Sequence, residues 1–152
     1  MKKNILIIII GVIIFCGLVY YNYLVAQRKI KETRPAPLGI TLESYPEEVV
    51  LGQSGSFIWN VDSSPDLSTP RTTIYYGYTA SPSALTTLDS PEAVNYSFSS
   101  PDYFVGTFRL PDSFDQSITF TKPGEIFFRA YAKVGDNHLW TDEKSLVVLP
   151  NN

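Results

Sequence analysis

From Pro35 to the carboxyl terminus the hydrophobic residues recur with a period of two rather than 3.6, and prolines interrupt the alternation at short intervals. Phe57, Trp59 and Val61 fall on one side of "SFIWNV", and Ile74, Tyr76 and Tyr78 on one side of "TTIYYGYT". Val94, Tyr96 and Phe98 repeat the pattern, as do Phe104, Phe108 and Leu110, and then Ile118 with Phe120. Successive side chains of a strand point to opposite faces, so each set marks the buried face of a strand with polar partners opposite. Pro65, Pro70, Pro82, Pro91, Pro101, Pro111 and Pro123 lie between these sets, where a missing backbone donor does not break a ladder. The pattern predicts an all-β sandwich of about seven to nine strands over residues 38–150.

The two closing strands are the most sharply written. "EIFFRAYAKV" and "HLWTDEKSLVVL" flank Gly135-Asp136-Asn137, residue types that accept the positive φ of a hairpin turn. On the first of them Ile126, Phe128, Ala130, Ala132 and Val134 form one face; Arg129 and Lys133 fall on the other, which is expected to be solvated. The stretch "PGEIFFRAYAKVGDNHLWTDEKSLVVL" resembles the closing F and G strands of fibronectin type III domains: proline-glycine, an aromatic strand with Arg-x-x-Ala, a turn, then a Trp-Thr-x-Glu run and a valine-rich strand. Trp59 resembles the tryptophan of that family's B strand, and "IYYGYT" its tyrosine-bearing C strand. Ile126 stands where the family carries a tyrosine, one residue sooner, and Thr79 to Ser117 is longer than the family needs between its C and E strands. The resemblance implies an immunoglobulin-like sandwich, a fold that hosts many activities.

Ahead of this domain stands a different kind of segment. Ile5 to Ala26 is a run of 22 residues with one amide, Asn22, and no charge. As a helix it would extend about 33 Å, enough to cross the hydrocarbon core of a bilayer. A secretory signal has a shorter apolar core and a small-residue exit, whereas Leu24-Val25-Ala26 offers a large residue where a small one is needed. Lipidation at Cys16, the only cysteine, is disfavoured by bulky Phe15 before it, so Cys16 reads as an apolar helix residue. Residues 1–27 are therefore expected to be a single membrane anchor that contacts the bilayer through residues 5–26, with 28–37 a basic, proline-containing linker. Tyr20, Tyr21 and Tyr23, followed by Arg28, Lys29, Lys31 and Arg34, suit a membrane interface.

Charge divides the chain at the same place. Residues before Pro35 carry six Lys/Arg against one Glu, a net of +5, and those after it six against fourteen Asp/Glu, a net of -8. Phosphate backbones would repel such a domain, which excludes nucleic acid as an expected partner. Orientation is pulled both ways. The basic residues after Ala26 would keep the domain in the cytoplasm, while the short amino tail with Lys2 and Lys3 and the character of the acidic, tyrosine-rich sandwich favour the outside. An extracellular domain on the cell membrane is the expectation.

Catalytic chemistry has little to stand on. His138 is the sole histidine and lies in the final hairpin; "GQSGS" at Gly52 to Ser56 lacks the spacing of a serine elbow and reads as a turn before a strand. The carboxylate pairs Asp62/Asp66, Asp112/Asp115 and Asp142/Glu143 lie in loops and read as solvated surface, with calcium between loops as the alternative. No catalytic or metal residue is assigned, no cofactor or small-molecule substrate is expected, and no ligand-binding residue is fixed. Tyr75, Tyr103 and Tyr131 face away from the expected core, so they either contact a partner or lie beneath the long Thr79–Ser117 excursion. Asn95 begins an Asn-Tyr-Ser glycosylation sequon. The expected function is a non-enzymatic, membrane-anchored surface module for adhesion or for binding a protein of the envelope. The alternative is a subunit of a surface filament or secretion assembly, although the glycine cleavage signal and early glutamate of bacterial pilins are missing.

Overall fold

The structure is a computed structural model that describes residues 15–26, 37–64, 67–81, 83–94 and 96–151. Asn95, Pro65, Asp66, Pro82, most of the expected linker and the first half of the apolar run lie outside the described residues. The chain divides into two units, Met1–Pro35 and Ala36–Asn152.

In the first unit residues 15–26 are helical, and Asn22 Nδ2 donates to the Leu18 carbonyl at 3.0 Å within the helix. Phe15, Leu18, Val19, Tyr20, Tyr21 and Leu24 are all exposed, so apolar surface runs around the whole circumference. Among the described residues no helix is long and apolar enough to cross a membrane.

The second unit is built from strands. β1 (Gly39–Ser44), β3 (Ser54–Asp62) and β8 (Asp112–Thr119) form one antiparallel sheet with β3 in the centre. The facing sheet runs β2 (Glu48–Val50), β11 (Lys144–Leu149), β9 (Gly124–Val134), β5 (Arg71–Gly77), β6 (Phe98–Ser99), with β10 (Asn137–Trp140) also pairing β9. β4 (Ser68–Thr69) and β7 (Phe108–Arg109) make a separate two-residue ribbon. Pro46, which has no amide to donate, ends the first edge strand, and the chain switches sheets so that β2 pairs in parallel with β11. This two-sheet arrangement is an immunoglobulin-like sandwich.

Among the described residues eleven strands form rather than seven to nine, because the excursion expected to alternate through Val94–Phe98 and Phe104–Leu110 makes only two-residue pairings, plus a 3-10 turn at Pro91–Ala93. Its prolines deny it the donors a longer ladder needs.

The core fills the space between the sheets. Phe57, Trp59 and Val61 of β3 meet Ile74 of β5 and Ile126, Phe128, Ala130, Ala132 and Val134 of β9, all buried. Phe57 packs edge-on against Phe128 with ring centres 5.0 Å apart, and Trp59 stacks on Phe114 of β8 at 5.8 Å. The indole N–H of Trp59 donates to Thr72 Oγ1 at 2.7 Å, and that hydroxyl donates to the Tyr131 carbonyl at 2.8 Å. A buried polar relay thereby links one sheet to the other.

The β9–β10 turn is a two-residue loop with Gly135 at φ 58°, a conformation open to glycine at little cost. Tyr103, expected on an outer face, adopts φ 53° and turns its ring inward onto Trp59, Phe108 and Phe114. Its carbonyl accepts the Thr72 amide at 3.0 Å, so the unusual backbone is held by a core contact and a ladder-like bond.

Candidate functional site

On the outer face of β5, β9 and β10, strand register sorts the side chains into rows. Arg71 lies opposite Lys133, which lies opposite His138; the next row is Thr73, Tyr131 and Trp140; below it Tyr75 lies opposite Arg129. The excursion between β5 and β8 closes over the lower rows.

Arg129 is buried, with 3% of its surface exposed, and is not solvated as its alternation implied. Its guanidinium donates from Nη2 to the carbonyls of Ser81 (2.9 Å) and Ser83 (3.0 Å), from Nη1 to the Thr141 carbonyl (2.8 Å), and from Nε to the Tyr96 hydroxyl (3.0 Å). Tyr96 in turn donates to Glu143 Oε2 at 2.5 Å, and Glu143 accepts the Ser81 amide through both oxygens at 2.7 and 3.0 Å. Burial is tolerated because every nitrogen of the fork has an acceptor and a carboxylate stands one hydroxyl away. Asp142 and Glu143 are thus separated in role: Asp142 is exposed, and Glu143 fastens the excursion.

The middle row is an aromatic seal. Tyr131 lies 4.5 Å from Trp140 and 5.5 Å from Tyr75, between ring centres, and is 1% exposed. Trp140 Nε1 donates to the Asp89 carbonyl at 2.8 Å, and Thr73 Oγ1 donates to the Ser100 carbonyl at 2.8 Å. Tyr75 and Tyr131 are therefore covered, the second of the two roles left open for them. Local sequence could not separate Arg129 and Tyr131 from solvated residues, since only the path of a segment distant in sequence buries them.

Burial raises the phenol groups of Tyr96 and Tyr131 above their ordinary value near 10, with Glu143 adding to the effect at Tyr96 and Tyr75 at Tyr131. Tyr75 and Tyr76 shift the same way, again chiefly by burial. For such groups the unfolded chain ionises first, so their contribution to stability is complete below about pH 10 and is lost as pH rises toward the folded values. Denaturant titrations across the alkaline range are expected to show stability falling above pH ~10. Tyr131→Phe is expected to flatten that slope, and an unchanged slope would count against the buried-phenol account.

The top row stays open. Arg71, Lys133, His138 and Tyr131 line a cleft of about 310 Å3 with Phe104, Val105, Pro70, Pro91 and Glu92 around it. The Arg71 guanidinium lies 4.2 Å from the centre of the Phe104 ring. His138 Nδ1 is 2.7 Å from the Tyr131 hydroxyl, which fixes the imidazole at the floor. Glu92 binds its own amide and Ser90, interactions that hold its carboxyl below the usual range. No described residue forms a salt bridge or hydrogen bond with the Lys133 side chain. A second depression, about 330 Å3, lies beside Pro46, Gln53, Gly55 and Leu149, with Glu48 as its one charged group.

The remaining sequence candidates do not converge. His138 meets a phenol and no nucleophile; Asp112 caps the Ser113 amide at 2.9 Å; Asp115 is exposed on β8. Gly52 of "GQSGS" takes φ 86° in the turn before β3, and Ser54 pairs with Thr119 at 2.7 Å. Among the described residues no group of three His, Cys, Asp or Glu side chains could hold a metal ion. The missed feature is the Arg71–Lys133–His138 row, in which Arg71 is far in sequence from the hairpin pair Lys133 and His138; their being basic within an acidic domain was the available signal.

No family model matches the chain, and no curated protein does. Among solved structures it is similar to the PKD domain of an M14-like peptidase from Thermoplasmatales archaeon SCGC AB-540-F20, at 17% identity over 77% of this chain and 97% of that one, TM-score 0.44. It is similar to the cohesin module of a family 33 glycoside hydrolase from Clostridium perfringens ATCC13124, at 13% identity over 75% of this chain and 98% of that one, TM-score 0.37. A β-glucosidase from Listeria innocua in complex with glucose matches at 11% identity over 75% of this chain, TM-score 0.46, and the match spans only 16% of that enzyme.

Proposed function

We propose that this protein is a non-enzymatic recognition module carried on the outer side of the cell membrane by its amino-terminal apolar segment. Its sandwich, with closing strands patterned like those of fibronectin type III domains, binds another component of the same envelope. The observation that carries the recognition half is the open cleft at Arg71, Lys133 and His138, on a face otherwise sealed by its own chain. A helix apolar on all sides suits a lipid environment, which supports the anchor, as does the uncharged run from Ile5 to Ala26.

Protease treatment of intact cells tests the placement. The domain is expected to be cut from whole cells, leaving a membrane-bound fragment with Met1 intact by mass spectrometry. Protection until the membrane is opened would overturn the external placement, and a trimmed amino terminus would favour the filament-subunit alternative.

A further inference from the structure

The open cleft lies at a particular end of the sandwich. β1 begins there, because Gly39 pairs with Asp62 at the end of β3, and Arg71 opens β5 opposite Lys133, next to the Gly135 turn. The chain therefore enters the domain at the cleft end. Twelve residues separate Ala26 from Gly39, and fully extended they span at most about 40 Å.

The same end carries the most exposed aliphatic side chains of the domain. Val105, 84% exposed, lines the cleft, held there as the Gly106 amide donates to the Pro70 carbonyl at 3.0 Å. Leu88, 86% exposed, follows Thr87, whose carbonyl accepts the His138 amide at 2.9 Å. Leu67 and Leu38 are also exposed in the segments that flank β3 and β1 at this end.

Charge is placed there against the trend of the domain. Arg71 and Lys133 are directly opposite on adjacent strands, an arrangement of like charges that costs stability in the free protein. Glu92 is held chiefly by its own amide and Ser90, and its weaker charge interaction with Arg71 and His138 offsets the cations of the cleft only in part. A cleft with two cations and an imidazole, with bare aliphatic Val105 in its lining and Leu88 on the segment that pairs with His138, matches the layering of a bilayer surface: phosphate outside, acyl chains beneath.

We propose that this end of the sandwich faces the bilayer, with the cleft holding the phosphate of an anionic phospholipid headgroup between Arg71 and Lys133 while Val105 and Leu88 enter the interfacial layer. The inference rests on the anchored-module reading. It assigns the envelope component recognised by the cleft as the lipid of the same membrane. A domain docked in this way stands close to the surface in a fixed orientation, despite its overall negative charge.

The full chain in nanodiscs tests this. His138 is the sole histidine, so its ring signals report on the cleft without ambiguity. Moving from phosphatidylcholine discs to discs containing phosphatidylglycerol is expected to shift those signals, and a spin-labelled lipid is expected to broaden the Val105 and Leu88 methyl signals but not those of Leu146. Lys133→Gln is expected to raise the phosphatidylglycerol fraction needed for half the shift about fivefold, the weight of one cation near an anionic surface. Glu92→Gln is expected to lower it, a change that partial unfolding would not produce. Identical His138 and methyl signals in both disc types, with the chain still embedded, would overturn the inference alone; failure of the chain to enter discs would overturn the anchor reading. A shift produced by inorganic phosphate in phosphatidylcholine discs, with none from phosphatidylglycerol, would overturn the lipid assignment in favour of a soluble anion.

Discussion

Replacing Arg129 by leucine is expected to lower the stability of the domain by about 2–4 kcal/mol. The side chain is buried and donates to three carbonyls and a phenol, so its removal strands the buried Thr141 carbonyl and takes the partner from the half-buried or exposed acceptors of Ser81, Ser83 and Tyr96. It also leaves Glu143 without the cation that stands behind its tyrosine partner. Leucine fills much of the volume, so the loss reports the missing hydrogen bonds more than a cavity. Urea unfolding measures the total, and amide exchange locates it: the Ser81 amide, held by Glu143, is expected to lose protection before those of β9. Arg129→Lys is expected to recover only part, because an ammonium cannot reproduce the planar fork that reaches both sides of the excursion. A stability change below about 0.5 kcal/mol, the range of ordinary surface substitutions, would mean that the network is ornamental.

Trp59→Ala is expected to be more damaging still, about 3–5 kcal/mol, the usual cost of emptying a large buried aromatic site. Trp59 has no exposed surface, stacks on Phe114 and touches the Tyr103 ring that closes the core. Its indole N–H also feeds the relay through Thr72 to the Tyr131 carbonyl. At roughly 4–8 °C per kcal/mol for a domain of this size, the melting midpoint is expected to fall by more than about 12 °C. Trp59→Phe separates the two contributions. Phenylalanine keeps most of the apolar contact but leaves Thr72 Oγ1 without its donor, so a loss of about 1–3 kcal/mol is expected. If Trp59→Phe equals Trp59→Ala, the relay and not the packing holds the sheets together. Circular dichroism of the full chain in detergent follows both variants without relying on tryptophan emission.

The two variants probe faces that differ in how far the sequence exposes them. The inner face was legible: Phe57, Trp59 and Val61, and Ile126 through Val134, alternate strictly because a strand with one buried side must. The outer face obeys no such local rule. Arg129, Tyr131 and Lys133 occupy equivalent alternate positions on β9, yet the first two are buried and the third remains partly open. Their difference is set by how far the excursion from Tyr78 to Phe108 reaches along the sheet, and its alternation through Val94–Phe98 and Phe104–Leu110 does not tell that path, since only two-residue strands form there. Tyr103 is a similar case, since a positive φ in a bulky residue is not written in its neighbours and arises from the fit of its ring against Trp59 and Phe114.

The all-β class, the inner faces of the main strands, the closing hairpin, and the contrast between an uncharged apolar run and an acidic domain follow from the order of residues alone. Those features are local: they depend on period, turn chemistry and net charge, which neighbouring residues carry. That Arg129 is a buried clasp, that Tyr131 is sealed, and that Arg71, Lys133 and His138 form one row beside the entry of the chain emerges only once the strands are paired. Pairing register between strands about sixty residues apart brings Arg71 opposite Lys133, and no local period encodes that distance.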